Sequence, residues 1–179
     1  MFFLRKSTLE RLPVAMSGVR RGERALQIGI DDPSLAGAIA AKVGLSGHAA
    51  IAVADAAHEA RARAAAAKAG ALADVHATPL DALPFAVDSF DVAILHAAGI
   101  ASALESESGI SMLRDTHRVL RSGGRILIVE GGARRLFRHR PEPPAAAPVL
   151  SALGTAGFRA ARVLAEREGY RFIEAVKSD

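Results

Sequence analysis

Six histidines are the side chains best able to move a proton near neutral pH, because imidazole titrates there. His96 is the first candidate for a general base. It closes the apolar run from Phe90 to His96, which reads as a strand, so it falls at a strand's C-terminal end. In open α/β sheets that edge borders the ligand cleft. The competing role is structural, with the imidazole bonded to loop backbone. His76 falls near the end of another strand and could approach the same edge. His58 falls in the first turn after a strand, and His117 lies beside Arg114 and Arg118 on a helix. None has metal-ligand spacing with another histidine or acid. The chain has no cysteine, which excludes disulfides, thiolate metal sites and a cysteine nucleophile.

A second chemical feature is basic. Arg134, Arg135, Arg138 and Arg140 surround Leu136 and Phe137, and Pro141-Glu142-Pro143-Pro144 follows. The planar guanidinium fork suits phosphate and carboxylate. This loop either docks an anionic partner (a substrate, a nucleic-acid backbone, lipid headgroups or an acidic protein) or is a solvated connection. No helix-turn-helix or zinc finger accompanies it, so a sequence-specific DNA reader is not indicated. Neither a nucleophile elbow, a P-loop nor a G-x-G-x-x-G fingerprint is present. The Glu105-Ser106-Glu107-Ser108 run reads as the acidic start of a helix.

The elements that must position these groups alternate along the chain. Residues 7–12 predict a short helix, with Ser7 and Glu10 as a capping box and Pro13 ending or kinking it. Arg24 to Gly29 predicts the first strand. Asp32 as N-cap and Pro33 at the first helical position open a helix that runs through Ala41 towards Gly44 and Gly47. Ala49 to Ala54 is the second strand, 56–69 an alanine-rich helix, Ala73 to Thr78 the third strand and Phe90 to His96 the fourth. A helix over 105–121 ends at Ser122-Gly123-Gly124, and Arg125 to Glu130 is the fifth strand. A helix at 147–156 and strands near 159–165 and 170–176, joined by Glu166-Arg167-Glu168-Gly169, complete the chain. Such alternation predicts an α/β fold, a doubly wound, mostly parallel sheet of seven strands with helices on both faces. Residues 1–22 form a helical extension and 23–179 a single domain. Half the residues are hydrophobic, enough for a core. The net charge of +4, spread along the chain, serves solubility. The early charges at Arg5 and Lys6 argue against a signal peptide. No run approaches the ~20 apolar residues of a transmembrane helix. A cytoplasmic protein is expected.

Three stretches carry a family resemblance. Leu83-Pro84-Phe85-Ala86-Val87-Asp88-Ser89-Phe90-Asp91 is similar to the LPF-x-x-x-SFD segment entering the fourth strand of class I S-adenosylmethionine (SAM) methyltransferases of the ubiquinone and menaquinone type. Arg118 to Arg125 resembles their RVLKPGGR turn, and Ala156-Gly157-Phe158 their AGF turn. The ordered set covers the chain from about residue 20 onward. Phe85, Phe90 and Phe158 read as core anchors.

The resemblance implies a Rossmann-like methyltransferase fold, SAM as cofactor and methyl transfer as the reaction. It places the cofactor turn at Gly29, Ile30 and Asp31, where the family has G-x-G-x-G. Here Asp31 and Pro33 replace the second and third glycines. Asp31 could face the cofactor's cationic groups, or the turn could serve only to cap a helix through Asp32 and Pro33. Asp55, followed by Ala56, matches the acid that holds the ribose hydroxyls, and it also reads as a helix N-cap. Thr78-Pro79-Leu80 stands where the family often has GDA. Pro79 and Leu80 would then line the adenine site without the usual aspartate, with Asp81 nearby. The longer lid of many relatives has no counterpart, so an acceptor would be bulky or exposed, or a partner protein would complete the site. Three functions follow: a SAM-dependent methyltransferase acting on a small-molecule acceptor, a methyltransferase-like binding or assembly subunit without SAM, and an anion or membrane-surface binder acting through residues 134–140.

Overall fold

The computed structural model describes residues 11–97, 101–131 and 145–178. The expected capping box at Ser7 and Glu10 and the arginines 134, 135, 138 and 140 lie outside the described residues.

The first described helix is α1 (Leu12–Met16), and it corrects the expectation at Pro13. The proline lies in the first turn of this helix, after an extended Arg11. A missing N–H costs nothing in the first turn, where backbone donors have no helical partner. Then come β1 (Arg24–Ile28), α2 (Pro33–Val43), β2 (His48–Val53), α3 (Ala56–Lys68), β3 (Asp74–Ala77) and β4 (Phe90–His96). A 3-10 turn (Ala101–Glu105) leads into α4 (Glu107–Val119), β5 (Leu120–Gly131), α5 (Ala147–Thr155), β6 (Arg159–Arg167) and β7 (Tyr170–Val176).

The seven strands form one sheet in the order β3-β2-β1-β4-β5-β7-β6. The first five in the chain are parallel to one another, and β7 runs antiparallel to both β5 and β6. The order reverses between β1 and β4, so the C-terminal edge of those two strands is the topological switch point.

Helices cover both faces. Leu26, Ile28, Ala93, Leu95, Ile126 and Ile128 pack on one side with residues of α4 and α5. On the other side, Ala25, Val92, Ile94, Leu127 and Val129 meet α1 and α2. The α2–α3 contact explains the many small side chains there. A Cβ at Gly37 would lie 2.4 Å from the Ala65 carbonyl oxygen, so only glycine lets the two helices approach this closely. Phe90 and Phe158 are buried, and Phe85 is half-buried with its ring edge-on to Phe90.

Two boundaries differ from the sequence reading. The helix before Gly123-Gly124 ends at Val119, and β5 starts at once with Leu120 beside Phe90. Ser122 to Gly124 is an irregularity within the strand and not a helix stop. It is held by two backbone bonds, Gly123 N–H to Lys177 O (2.9 Å) and Lys177 N–H to Gly124 O (2.8 Å). The last hairpin is tighter than expected. Its strand continues through Arg167, and the turn is Glu168-Gly169, both with positive φ, as a two-residue hairpin requires.

Candidate functional site

Five strand ends define the candidate site. At the end of β1, Gly29 takes φ +75°, and a Cβ there would press against the His96 carbonyl oxygen at 3.3 Å. The chain can therefore turn sharply beside β4 with bare backbone at the switch point. The Ile30 side chain turns down between α2 and α3, packed with Ala36, Ile51, Val53, Ala62 and Val75. Asp31 is exposed.

Asp32 is committed to helix α2. One oxygen accepts from Ser34 N–H (3.0 Å), Leu35 N–H (3.3 Å) and Ser34 Oγ (2.8 Å). The other lies 2.7 Å from Arg11. Burial alone would raise the Asp32 carboxyl, but the bonds from Ser34 and Arg11 outweigh it and hold it below the usual carboxylate range. Arg11 also donates to Ser34 Oγ (3.0 Å) and to the Tyr170 hydroxyl (3.4 Å). The turn is thus tied to the segment before α1 and to the start of β7. Nothing in local spacing marks this, since Arg11 and Tyr170 lie 159 residues apart.

At the end of β2, Asp55 caps α3. It accepts from His58 N–H (2.9 Å), and His58 Nδ1 sits 2.8 Å from both carboxylate oxygens. His58 therefore braces the acid from the first turn of α3. Bonds from the His58 backbone, then from its ring, hold the Asp55 carboxyl below its ordinary value. The side chain stays 52% exposed, so the carboxylate is fixed and still open to a ligand. Ala56, next to it, is exposed.

At the end of β3, Thr78 N–H bonds to Val53 O (2.8 Å), Pro79 is exposed and Leu80 is half-buried against the core. Asp81 is exposed on the following turn. His76 lies edge-on to Phe85 with ring centroids 5.2 Å apart.

His96 stands at the end of β4 as expected, but it is only 2% exposed. Its Nε2 is 2.9 Å from Gln27 Oε1, while Gln27 Nε2 donates to Ala36 O (2.9 Å). With the amide fixed by that second bond, His96 Nε2 must carry the proton and donate it. Burial pushes the imidazole down to about 4, against a weaker upward pull from Asp32. At neutral pH the ring is an uncharged donor that links β4, β1 and α2. Gln27 was missed in the sequence because it sits inside an apolar strand with no partner nearby in the chain.

Glu130, near the end of β5, is the other residue that sequence reasoning passed over. Its side chain is 9% exposed, and Oε2 accepts from Arg171 (3.2 Å), its cross-strand neighbour on β7. Arg171 also donates to Glu166 Oε1 (2.5 Å). Glu130 Oε1 is buried with no hydrogen-bond partner among the described residues. Such an orphan typically costs about 1–3 kcal/mol, more when charged. Burial pushes the Glu130 carboxyl up, and the nearby Arg171 only partly offsets this. Among the described residues no group of three or more histidines and acids is placed to hold a metal ion, and no helix is long and apolar enough to cross a membrane.

The comparisons with known proteins agree with this architecture. A SAM-dependent methyltransferase from Aquifex aeolicus superposes with TM-score 0.74 at 16% identity, covering 91% of this chain and 86% of that one. The structure of PigF with S-adenosylhomocysteine (SAH) gives 0.66 at 21% identity, covering 92% of this chain and 53% of PigF. A putative methyltransferase from Haloferax volcanii, solved in complex with the Trm112 methyltransferase activator, gives 0.65 at 14% identity, with 93% and 86% covered. These likenesses show the fold. No curated protein sequence matches the chain significantly. A family model described as "Methyltransferase domain" matches residues 33–128, from the first residue of α2 into β5 and more than half of the chain. The chain therefore belongs to the methyltransferase-domain family.

Proposed function

We propose that the protein is a SAM-dependent methyltransferase whose cofactor half is organised by Gly29 and Asp55. The observation that carries this reading is Asp55: a braced, half-exposed carboxylate at the end of β2, next to the switch point. A fixed carboxylate can accept hydrogen bonds from both hydroxyls of a ribose. The left-handed Gly29 lets the chain turn tightly against the His96 carbonyl without a side chain, and the buried Ile30 side chain keeps out of the cleft. In this reading Ala56, Pro79 and Leu80 border the adenosine part, and Asp31 faces its methionine part.

When bound, SAM supplies an electrophilic methyl group. The protein's task is then to hold an acceptor in line with it, and much of the rate can come from that positioning. His96 fits a positioning role and not that of a base, since its ring is closed off and its Nε2 already donates to Gln27. It would keep β4 and α2 at a fixed distance below the cleft. The acceptor is a small molecule, or a partner protein completes the open edge.

A second reading has one observation in its favour. Asp32 occupies the first amides of α2, which a bound anion would otherwise use. That favours a subunit that keeps the fold and has lost the cofactor. Calorimetric titration with SAH separates the two. We expect saturable binding, weakened at least tenfold by Asp55→Ala. Absence of both heat and a thermal shift at millimolar SAH would support the cofactor-free subunit instead.

A further inference from the structure

Glu130 is not among the residues assigned to the cofactor half, yet it stands on the same sheet edge. Its strand pairs with β4, where Val129 is opposite His96, so Glu130 lies on the side of the switch point away from Asp55. Its side chain shares a face with Ile126 and Ile128, the face covered by α4 and α5. A carboxylate kept only as a partner for arginine commonly uses both oxygens in a bidentate pair. Here Arg171 Nη1 reaches Oε2 alone, at 3.2 Å. Arg171 thereby leaves Oε1 buried with no hydrogen-bond partner among the described residues. Buried polar atoms of this kind are rare in folded proteins and call for a reason.

We infer that Glu130 Oε1 receives a hydrogen-bond donor, a hydroxyl or a protonated amine, from the methyl acceptor. Resting on the methyltransferase reading, this names the acceptor's chemical class at the β5 edge. A carboxylate has only lone pairs to offer, so it selects for groups that bring a proton. The charges of Glu130, Glu166 and Arg171 sum to minus one, which disfavours a carboxylate or phosphate at the same point. The raised Glu130 carboxyl agrees with a site that excludes water. Glu130→Gln reverses the selection. Its amide oxygen can still accept from Arg171, and its NH2 then fills the orphan position with donors.

The test is a carbon-detected NMR titration of the Glu130 carboxyl, assigned by its loss in Glu130→Gln, with and without SAH. The probes are benzylamine, phenol and benzoate. We expect benzylamine or phenol to move the Glu130 signal saturably and benzoate to leave it in place. Glu130→Gln should bind the active donor probe at least tenfold more weakly. The inference fails if neither donor probe moves the signal, if benzoate acts equally, or if a folded Glu130→Gln binds the donor probe unchanged. Should that variant not fold, the contrast between donor probes and benzoate in the native protein decides alone. Failure of SAH to bind, with the Glu130 response intact, overturns the cofactor reading and not this one.

Discussion

The two halves of the sheet edge treat their polar groups in opposite ways. On the β1–β2 side, Asp32 and Asp55 sit near water and are shared with helix N-termini and with Arg11 and His58. On the β4–β5 side, His96 and Glu130 are almost wholly buried, one satisfied by Gln27 and the other left with an open oxygen. The first half can change residues cheaply, because solvent and caps compensate for a lost contact. The second cannot, because a buried group must find its partner inside the protein.

The comparison breaks first, and hardest, at Arg171. Replacing it with leucine strands the Glu130 carboxylate in the interior, and breaking a buried pair in this way typically costs about 3–5 kcal/mol. Urea denaturation should show that loss. A change below about 1 kcal/mol would mean that Glu130 reaches water after all.

Acid is the next lever. The folded His96 titrates at about 4, below its ordinary 6.5, so between those values the unfolded chain binds a proton that the folded chain refuses. Stability must therefore fall as pH drops from 6.5 towards 4, by about 3 kcal/mol in all. The variant His96→Gln, uncharged throughout, should flatten that slope. Glu130 has the opposite sign. Its raised carboxyl favours the protonated form, so acid relieves its burial and rising pH restores the cost. In Glu130→Gln the acid-induced loss should look steeper. An unchanged slope in both variants would show that neither group controls the pH response.

Gly29→Ala sits where the halves meet. It forces a left-handed backbone on alanine and a methyl against the His96 carbonyl, which should cost about 1–2 kcal/mol. A thermal melt will show whether the turn yields instead. Smallest is Asp32→Asn. It keeps an N-cap oxygen and loses the charge pairing with Arg11, a change of about 1 kcal/mol or less.

The same contrast explains what could be read from the sequence. The strand Phe90–His96 was legible because Val92 to Leu95 is an unbroken apolar run behind Phe90. Asp32-Pro33 announced helix α2, since capping chemistry is local. Asp55 was legible through both its cap role and its place after a strand. Pro13 misled, because a proline marks a helix start as readily as a stop. The Gly123-Gly124 irregularity was hidden, because it depends on bonds to Lys177, which follows β7. The buried partners were hidden for the same reason: Glu130 and Arg171 are 41 residues apart, Gln27 and His96 are 69. Side chains that meet only through the sheet leave no local pattern.

The most direct measurement is a crystal structure of the protein soaked with SAH. The account predicts density at the switch point, ribose hydroxyls on Asp55, bare Gly29 backbone beneath the ligand and Asp32 still capping α2. Crystals that stay empty at millimolar SAH, or a ligand bound away from Asp55, would contradict it.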